Sequence, residues 1–343
     1  MEFTSIARGP NDLRQALTPD EIQLVCERAF GSCIVVESAQ ELGGGEFNSV
    51  YLIRMAGRAP VILRAAPPPG RDLPWHERDL MRHEHAIQPY LAPVAQLTPS
   101  TLMIDFTRLT LPRDYLFQSV MPGERWRDLA DHLSPQDEER LWRGLAHIAR
   151  DIHSVRGEAF GHPDPGRQFS TWSATIQDWL ARSLADAQRA GVETEAIERL
   201  CQLAEAHADL LDEITIPHLL HGDLWPVNIL VERGEDGEDG EDGESGARIS
   251  AVLDSDRVAW GDPLADWTFY LLPRGTTARI QAIFWDEYGA PETTLGARFR
   301  SSIYEGLNVS NVLFDLQRRG RMDLEAQSQE QLRAVVAALH AMR

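Results

Sequence analysis

The stretch that decides the fold is residues 218–231, HLLHGDLWPVNILV. Two apolar runs enclose a polar centre that carries an acid at Asp223 and an amide at Asn228. Short apolar runs bounded by such turn residues read as buried strands, which leaves the centre as a loop held at both ends. A carboxylate displayed on such a loop can take a proton from a hydroxyl nucleophile. An amide oxygen five residues on can ligate a divalent cation without adding negative charge. Together they form one part of the template for phosphoryl transfer.

That template needs a second metal ligand at the end of a following strand. The run ISAVL, residues 249–253, reads as that strand, and Asp254 ends it. Asp223 and Asp254 lie 31 residues apart, and the segment 234–246 accounts for 13 of these. The remaining 18 suit a strand, a turn and a strand. The inserted Gly-Glu-Asp repeat contains no apolar residue. It is therefore expected to be a disordered tip on a hairpin.

Composition sets the outer limits. The chain has 343 residues and a formal net charge of −20, of which seven acids between Glu235 and Glu244 supply a part, leaving −13 elsewhere. Such a balance argues against a nucleic-acid partner. It suits a cationic ligand, although acidic surfaces also serve solubility alone. All 33 basic residues are arginine. A lysine Schiff base and a lysine-bearing P-loop are thereby excluded. Cys26, Cys33 and Cys201 fit neither a disulfide framework nor a zinc site. With no long apolar run and no signal-peptide pattern, the expectation is a cytoplasmic protein without a membrane partner.

Along the chain, TPDEIQLVCERAFG carries Thr18 as an N-cap, Pro19 at the first helical position and Glu21 to close a capping box. The runs CIVVESAQEL, NSVYLIRM and PVILRAAP read as strands, with GGGEFN between the first two. Residues 75–91 read as one helix, and TLMIDF and DYLFQSVM as two more strands. Beyond residue 125 the pattern is mainly helical. Strand-rich first third and helix-rich remainder predict an α+β protein of two lobes, 1–122 and 123–343.

HGDLWPVNIL followed by LDSDRVAWGDPLADW resembles the aminoglycoside phosphotransferase family of the protein-kinase-like superfamily. The resemblance implies a two-lobed kinase fold that moves a phosphoryl group from ATP or GTP, with Mg2+, to a hydroxyl of a small molecule. It implies Asp223 as catalytic base and Asn228 and Asp254 as magnesium ligands, with His221 bracing the loop and Asp262 and Asp266 as caps or anchors. Gly45 and Asn48 match the family's loosely held nucleotide loop. Arg64 stands where kinases place lysine, and Glu84, on the inward side of its helix, is the implied partner, with Glu77 as fallback. Ser119 and Met121 occupy the hinge and would meet the base through backbone groups.

For the acceptor, Asp286, Glu287 and Glu305 are candidate acids, and Trp225, Trp260 and Tyr288 candidate stacking surfaces. Three functions follow from the resemblance. One is an antibiotic kinase conferring resistance, with an acceptor that the family name makes cationic. Another is a metabolic kinase acting on a choline-, homoserine- or sugar-like molecule. The third is a nucleotide-binding regulator without turnover, which the presence of Asp223, Asn228 and Asp254 together argues against.

Overall fold

The computed structural model describes residues 1–9, 12–43, 45, 47–163, 167–234 and 246–342. The acidic tract 235–245, expected to be disordered, lies outside the described residues. The chain divides into two compact units, Met1–Asp72 with Thr98–Pro122, and Leu73–Leu97 with Gly123–Arg343.

The first unit is a sheet backed by one helix. Its elements are β1 (Glu2–Thr4), α1 (Pro19–Phe30), β2 (Val36–Leu42), β3 (Ser49–Met55), β4 (Val61–Ala65), β5 (Thr101–Asp105) and β6 (Tyr115–Ser119). The strand order is β1-β2-β3-β4-β6-β5, with β1 parallel to β2 and every other pair antiparallel. Helix α1 starts where its capping box requires: Thr18 accepts the Glu21 N–H, and the Glu21 carboxylate accepts that of Thr18. Its Ile22, Val25 and Cys26 pack with Tyr51, Ile53, Leu63, Ala65, Tyr115 and Phe117 in one core. Because strand side chains alternate, the intervening residues Val50, Leu52, Ile62, Arg64, Leu116 and Gln118 lie on the opposite face of the sheet. Cross-strand register sets Arg64 opposite Val50 and Leu116.

The second unit begins with a difference from expectation. Residues 75–91 do not form one helix. A 3-10 turn covers Trp75–Glu77, α2 spans only Leu80–Ile87, and a 3-10 segment follows over Gln88–Leu97. Asp79 adopts the left-handed conformation (φ 58°), which breaks the first junction. Pro89 follows the last helical residues, where a proline ends regular hydrogen bonding. The segment also groups with the helical unit rather than with residues 1–72. Its Ile87, Leu91 and Val94 are buried in a core shared with Trp142, Leu145, Leu219 and Ile229.

The remainder runs β7 (Glu124–Arg125), α3 (Trp126–Leu129), α4 (Pro135–His153), β8 (Phe160–Gly161), β9 (Gln168–Phe169), α5 (Trp172–Ala190), α6 (Glu195–Ala206) and α7 (Ala208–Leu211). Then come β10 (His218–Leu220), β11 (Ile229–Arg233), β12 (Ala247–Val252), β13 (Ala259–Gly261), α8 (Trp267–Gly275), α9 (Ala278–Tyr288), α10 (Leu295–Arg318) and α11 (Met322–Ala341). Strands β11 and β12 form the expected antiparallel hairpin, and β10 pairs with β13. Helices α5, α6, α10 and α11 enclose a second core around Trp172, Leu200, Ile303 and Leu332. Among the described residues no helix is long and apolar enough to cross a membrane.

Candidate active site

Two strand pairs fix the loop between β10 and β11. β10 delivers His221 and Gly222, and a 3-10 turn over Pro226–Asn228 returns the chain into β11. Gly222 has φ 78°, and a Cβ there would stand 2.2 Å from the Arg257 carbonyl oxygen. Both constraints require glycine.

The Asp266 carboxylate holds the loop from beneath. It accepts the backbone N–H groups of His221 at 2.9 Å and Gly222 at 3.0 Å, and contacts His153 Nε2 at 3.0 Å. His153 Nδ1 in turn meets the Tyr288 hydroxyl at 2.8 Å. Burial opposes charge on Asp266, yet the His153 hydrogen bond and charge, with help from His221, hold its carboxyl below the usual carboxylate range. Thr268 adds a hydroxyl donated to the Leu224 carbonyl. Asp262, four residues before Asp266, caps the turn at Leu264 (3.1 Å) and accepts from Arg300 Nε (3.0 Å) and the Tyr304 hydroxyl (2.7 Å). Both acids thus sit as anchors.

On this support Asp223 and Asn228 meet directly. Asn228 Nδ2 donates to Asp223 Oδ2 at 2.8 Å and to the Asp223 carbonyl at 3.0 Å. The amide nitrogen is thereby committed, which turns Oδ1 of the buried Asn228 toward other partners. Asp223 N–H donates to His221 Nδ1 at 3.2 Å, so His221 braces the loop through its ring. The Leu253 N–H donates to the Asn228 carbonyl at 2.8 Å, joining the end of β12 to the loop. Asp254 follows in the left-handed conformation, φ 57°. A non-glycine residue held there marks a position where the chain turns sharply to aim a side chain. Burial pushes the Asp223 carboxyl up to about 7, while Arg257 and the Asn228 hydrogen bond pull the other way.

Arg257 escaped the reading of the sequence. It lies three residues beyond Asp254, in SDR, and its charge faces both Asp223 and Glu77. Its Nη2 stands 3.4 Å from Glu77 Oε1. The signal available was a lone arginine directly after two acids in an otherwise apolar run, which spacing alone does not separate from a surface residue. Glu77, the fallback partner of Arg64, is engaged here instead.

Asn228 and Asp254 offer two oxygen donors. Among the described residues no group of three or more His, Cys, Asp or Glu forms a protein-only cage. Magnesium is commonly held by one or two protein oxygens together with phosphates and water, so this donor set fits it.

The first unit carries Gly45, Asn48, Arg64, Ser119 and Met121. The Gly45 carbonyl accepts from Arg14 Nη1 at 2.6 Å, while neighbouring Gly44 and Glu46 lie outside the described residues. Asn48 is buried, and its Oδ1 has no hydrogen-bond partner among the described residues. Arg64 is buried, with Nη1 3.5 Å from Gln118 Oε1. Ser119 N–H donates to the Ser100 carbonyl at 2.9 Å, and its hydroxyl lies 3.9 Å from Met121 Sδ. Glu84 is buried in α2, within the second unit.

Two expected stacking surfaces are otherwise occupied. Trp260 is 4% exposed and sits in a core, and Tyr288 spends its hydroxyl on His153. Their aromatic character serves packing. Trp225 is half-buried in the loop itself.

A comparison with curated protein sequences finds no match. Solved structures are more informative. Aminoglycoside phosphotransferase APH(4)-Ia superposes with a TM-score of 0.61 at 19% identity, over 93% of this chain and 99% of that one. A ternary complex of a thermostable APH(4)-Ia variant with AMP-PNP and hygromycin B gives 0.59 at 20%, over 92% and 98%. A provisionally assigned fructosamine-3-kinase of Haemophilus somnus 129PT gives 0.60 at 17%, over 91% and 96%. At such identities the likeness concerns the fold, which is protein-kinase-like and α+β. The model of the phosphotransferase enzyme family matches residues 38–300, a span that takes in the sheet, the 221–228 loop and Asp254. The chain belongs to the phosphotransferase enzyme family.

Proposed function

We propose that the protein transfers the γ-phosphoryl group of ATP or GTP to a hydroxyl of a small molecule. One observation carries the reading: Asp223 and Asn228, joined at 2.8 Å, share a rigid loop with the end of the strand that delivers Asp254. Asp223 accepts the proton of the attacking hydroxyl. Asn228 Oδ1 and Asp254 hold Mg2+, which when bound neutralises charge on the phosphate oxygens. Arg257, held by Glu77, keeps a positive charge beside the base and favours its ionised form.

In this reading residues 1–122 bind the nucleotide. Arg64 takes the part of the usual lysine, contacting phosphate oxygens with its planar fork. Gly45 and Asn48 lie along the phosphates, and Ser119 and Met121 meet the base through backbone groups. Residues 123–343 supply the base, the metal ligands and the acceptor wall.

The acceptor class we propose is an antibiotic, of aminoglycoside or another type, with resistance as the outcome. The complex of APH(4)-Ia with AMP-PNP and hygromycin B supports it. A metabolic acceptor of sugar type is the second reading, favoured by the equally close fold of the fructosamine-3-kinase. The test is nucleotide consumption with a panel of antibiotics and metabolites. Acceptor-dependent release of nucleoside diphosphate is expected with at least one. A protein that binds no nucleotide in the presence of magnesium would contradict the reading.

A further inference from the structure

The sequence marks Asp286, Glu287 and Glu305 as acids that could draw a cationic acceptor, yet each already faces a cation. Arg143 Nη1 lies 3.9 Å from Asp286 and 3.8 Å from Glu287, and His147 Nε2 lies 2.9 Å from Glu287. The Glu287 carbonyl also accepts from Arg150 at 3.0 Å, so this end of α9 is tied to α4. Glu305 is met by Arg274 Nη2 at 2.6 Å.

Helices α8 and α10 are both tied to the support of the 221–228 loop. Helix α8 begins directly after Asp266, and its Thr268 holds Leu224. Helix α10 reaches the same support through Arg300 and Tyr304 on Asp262. Trp267, Tyr270 and Arg274, spaced three and four residues apart, share one side of α8. The Trp267 and Tyr270 rings are 4.8 Å apart, and the Arg274 guanidinium lies 4.0 Å from the Tyr270 centroid. Glu305, Asn308, Val312 and Asp315 recur with the same spacing and share one side of α10.

Charge on these surfaces is already matched. Glu305 pairs with Arg274, Asp315 with Arg318 and with Arg319 (2.5 Å), and Glu77 with Arg257 (3.4 Å). Two neutral donors are not matched. Trp267 Nε1 and Asn308 Nδ2 are buried with no hydrogen-bond partner among the described residues. Buried donors are normally satisfied, so each such group calls for an oxygen from a ligand or water.

We propose that this α8–α10 surface takes an uncharged acceptor, which presents a flat ring to Trp267 and Tyr270 and oxygen atoms to Trp267 Nε1 and Asn308 Nδ2. An oligocation would have to break existing arginine–carboxylate pairs and then stand beside the released guanidinium groups. This narrows the acceptor to a neutral, ring-bearing polyhydroxyl compound and sets aside the aminoglycoside option within the antibiotic reading. This narrowing rests on the phosphotransfer reading, and its test separates the two.

The full chain is titrated calorimetrically with Mg2+ and AMP-PNP. Absence of binding at this step overturns the phosphotransfer reading itself. The loaded protein is then titrated with phenyl β-glucoside as the neutral probe and hygromycin B as the cationic one. The neutral probe is expected to bind about ten-fold more tightly. Arg274→Gln, which releases Glu305, is expected to tighten hygromycin B several-fold, and Trp267→Phe to weaken only the neutral probe. Hygromycin B binding as tightly as the glucoside to the wild type overturns the proposal. So does failure of both probes to bind loaded protein, or an Arg274→Gln variant with unchanged affinity for the cation.

Discussion

The 221–228 loop and the strand that carries Arg64 position their polar residues in different ways. In the loop, hydrogen bonds converge from separate elements: Asp266 from below, Asn228 across the turn, His221 from within and Leu253 just past β12. On the sheet, register and the alternation of faces set the position of Arg64, whose Nη1 lies 3.5 Å from Gln118 Oε1. A network that fixes each atom suits proton transfer, where a small displacement is costly. A face presented by a pleated sheet suits a phosphate chain, whose several oxygens tolerate some variation in the cation that meets them. Changes in the loop should therefore act on turnover, and changes on the sheet on nucleotide affinity as well.

The sharpest challenge to this contrast is Asp223→Asn. Turnover is expected to fall about 10²- to 10⁴-fold, the usual share of a general base. A rate within a few-fold of wild type in rapid-quench assays would remove Asp223 from that role. Asp254→Ala and Asn228→Ala should raise the magnesium needed for half-maximal activity, Asp254→Ala by more because it removes a charge. An unchanged magnesium requirement in Asp254→Ala would move the metal elsewhere.

Asp266→Ala tests the support rather than the chemistry. Removing a buried carboxylate that holds His153 and two backbone N–H groups is expected to cost about 3 kcal/mol in urea unfolding. The pH dependence follows from sign. The folded protein holds this carboxyl below its ordinary value, so its contribution is present above pH ~4 and is lost as pH falls through the lowered value. Asp266→Asn should flatten the acid limb of the stability profile, and an unaltered limb would contradict the assignment.

Arg64→Ala should raise the nucleotide KM and lower kcat, with Arg64→Lys in between because lysine keeps the charge and loses the fork. Equal behaviour of all three proteins would make Arg64 an ordinary strand residue. The smallest effect is expected from deleting 235–245. Arg233 and Ala247 are already cross-strand partners, and the Gly234 N–H meets the Gly246 carbonyl at 3.3 Å. The deletion leaves a two-residue Gly-Gly connection of a kind that hairpins favour. A melting temperature lowered by more than a few degrees, or a large loss of turnover, would give the tract a role.

The contrast also explains what the sequence disclosed. Asp223, Asn228 and Asp254 could be singled out as candidates because they stand in polar breaks at the ends of apolar strands. Asp266 was expected as a cap or loop anchor, but its partner His153, 113 residues away, could not be named from the sequence. Arg257 stayed hidden because its meaning depends on Glu77, 180 residues earlier. The break at Asp79 was invisible for a related reason: apolar spacing over 75–91 fits one helix, and a left-handed aspartate in its midst leaves that spacing intact. Trp260, offered as a candidate stacking surface, proves to be buried in a core, because an aromatic residue carries no mark in the sequence that separates core from binding wall.

The claim that the loop performs chemistry while the sheet holds nucleotide is tested most directly by pairing two measurements on two variants. Nucleotide dissociation constants and single-turnover transfer rates are taken side by side for Asp223→Asn and Arg64→Ala. The account expects Asp223→Asn to keep nucleotide affinity within about two-fold while losing at least about 100-fold in transfer rate. It expects Arg64→Ala to lose in both. Weakened nucleotide binding in Asp223→Asn equal to that in Arg64→Ala, with transfer from the bound state intact, would contradict it.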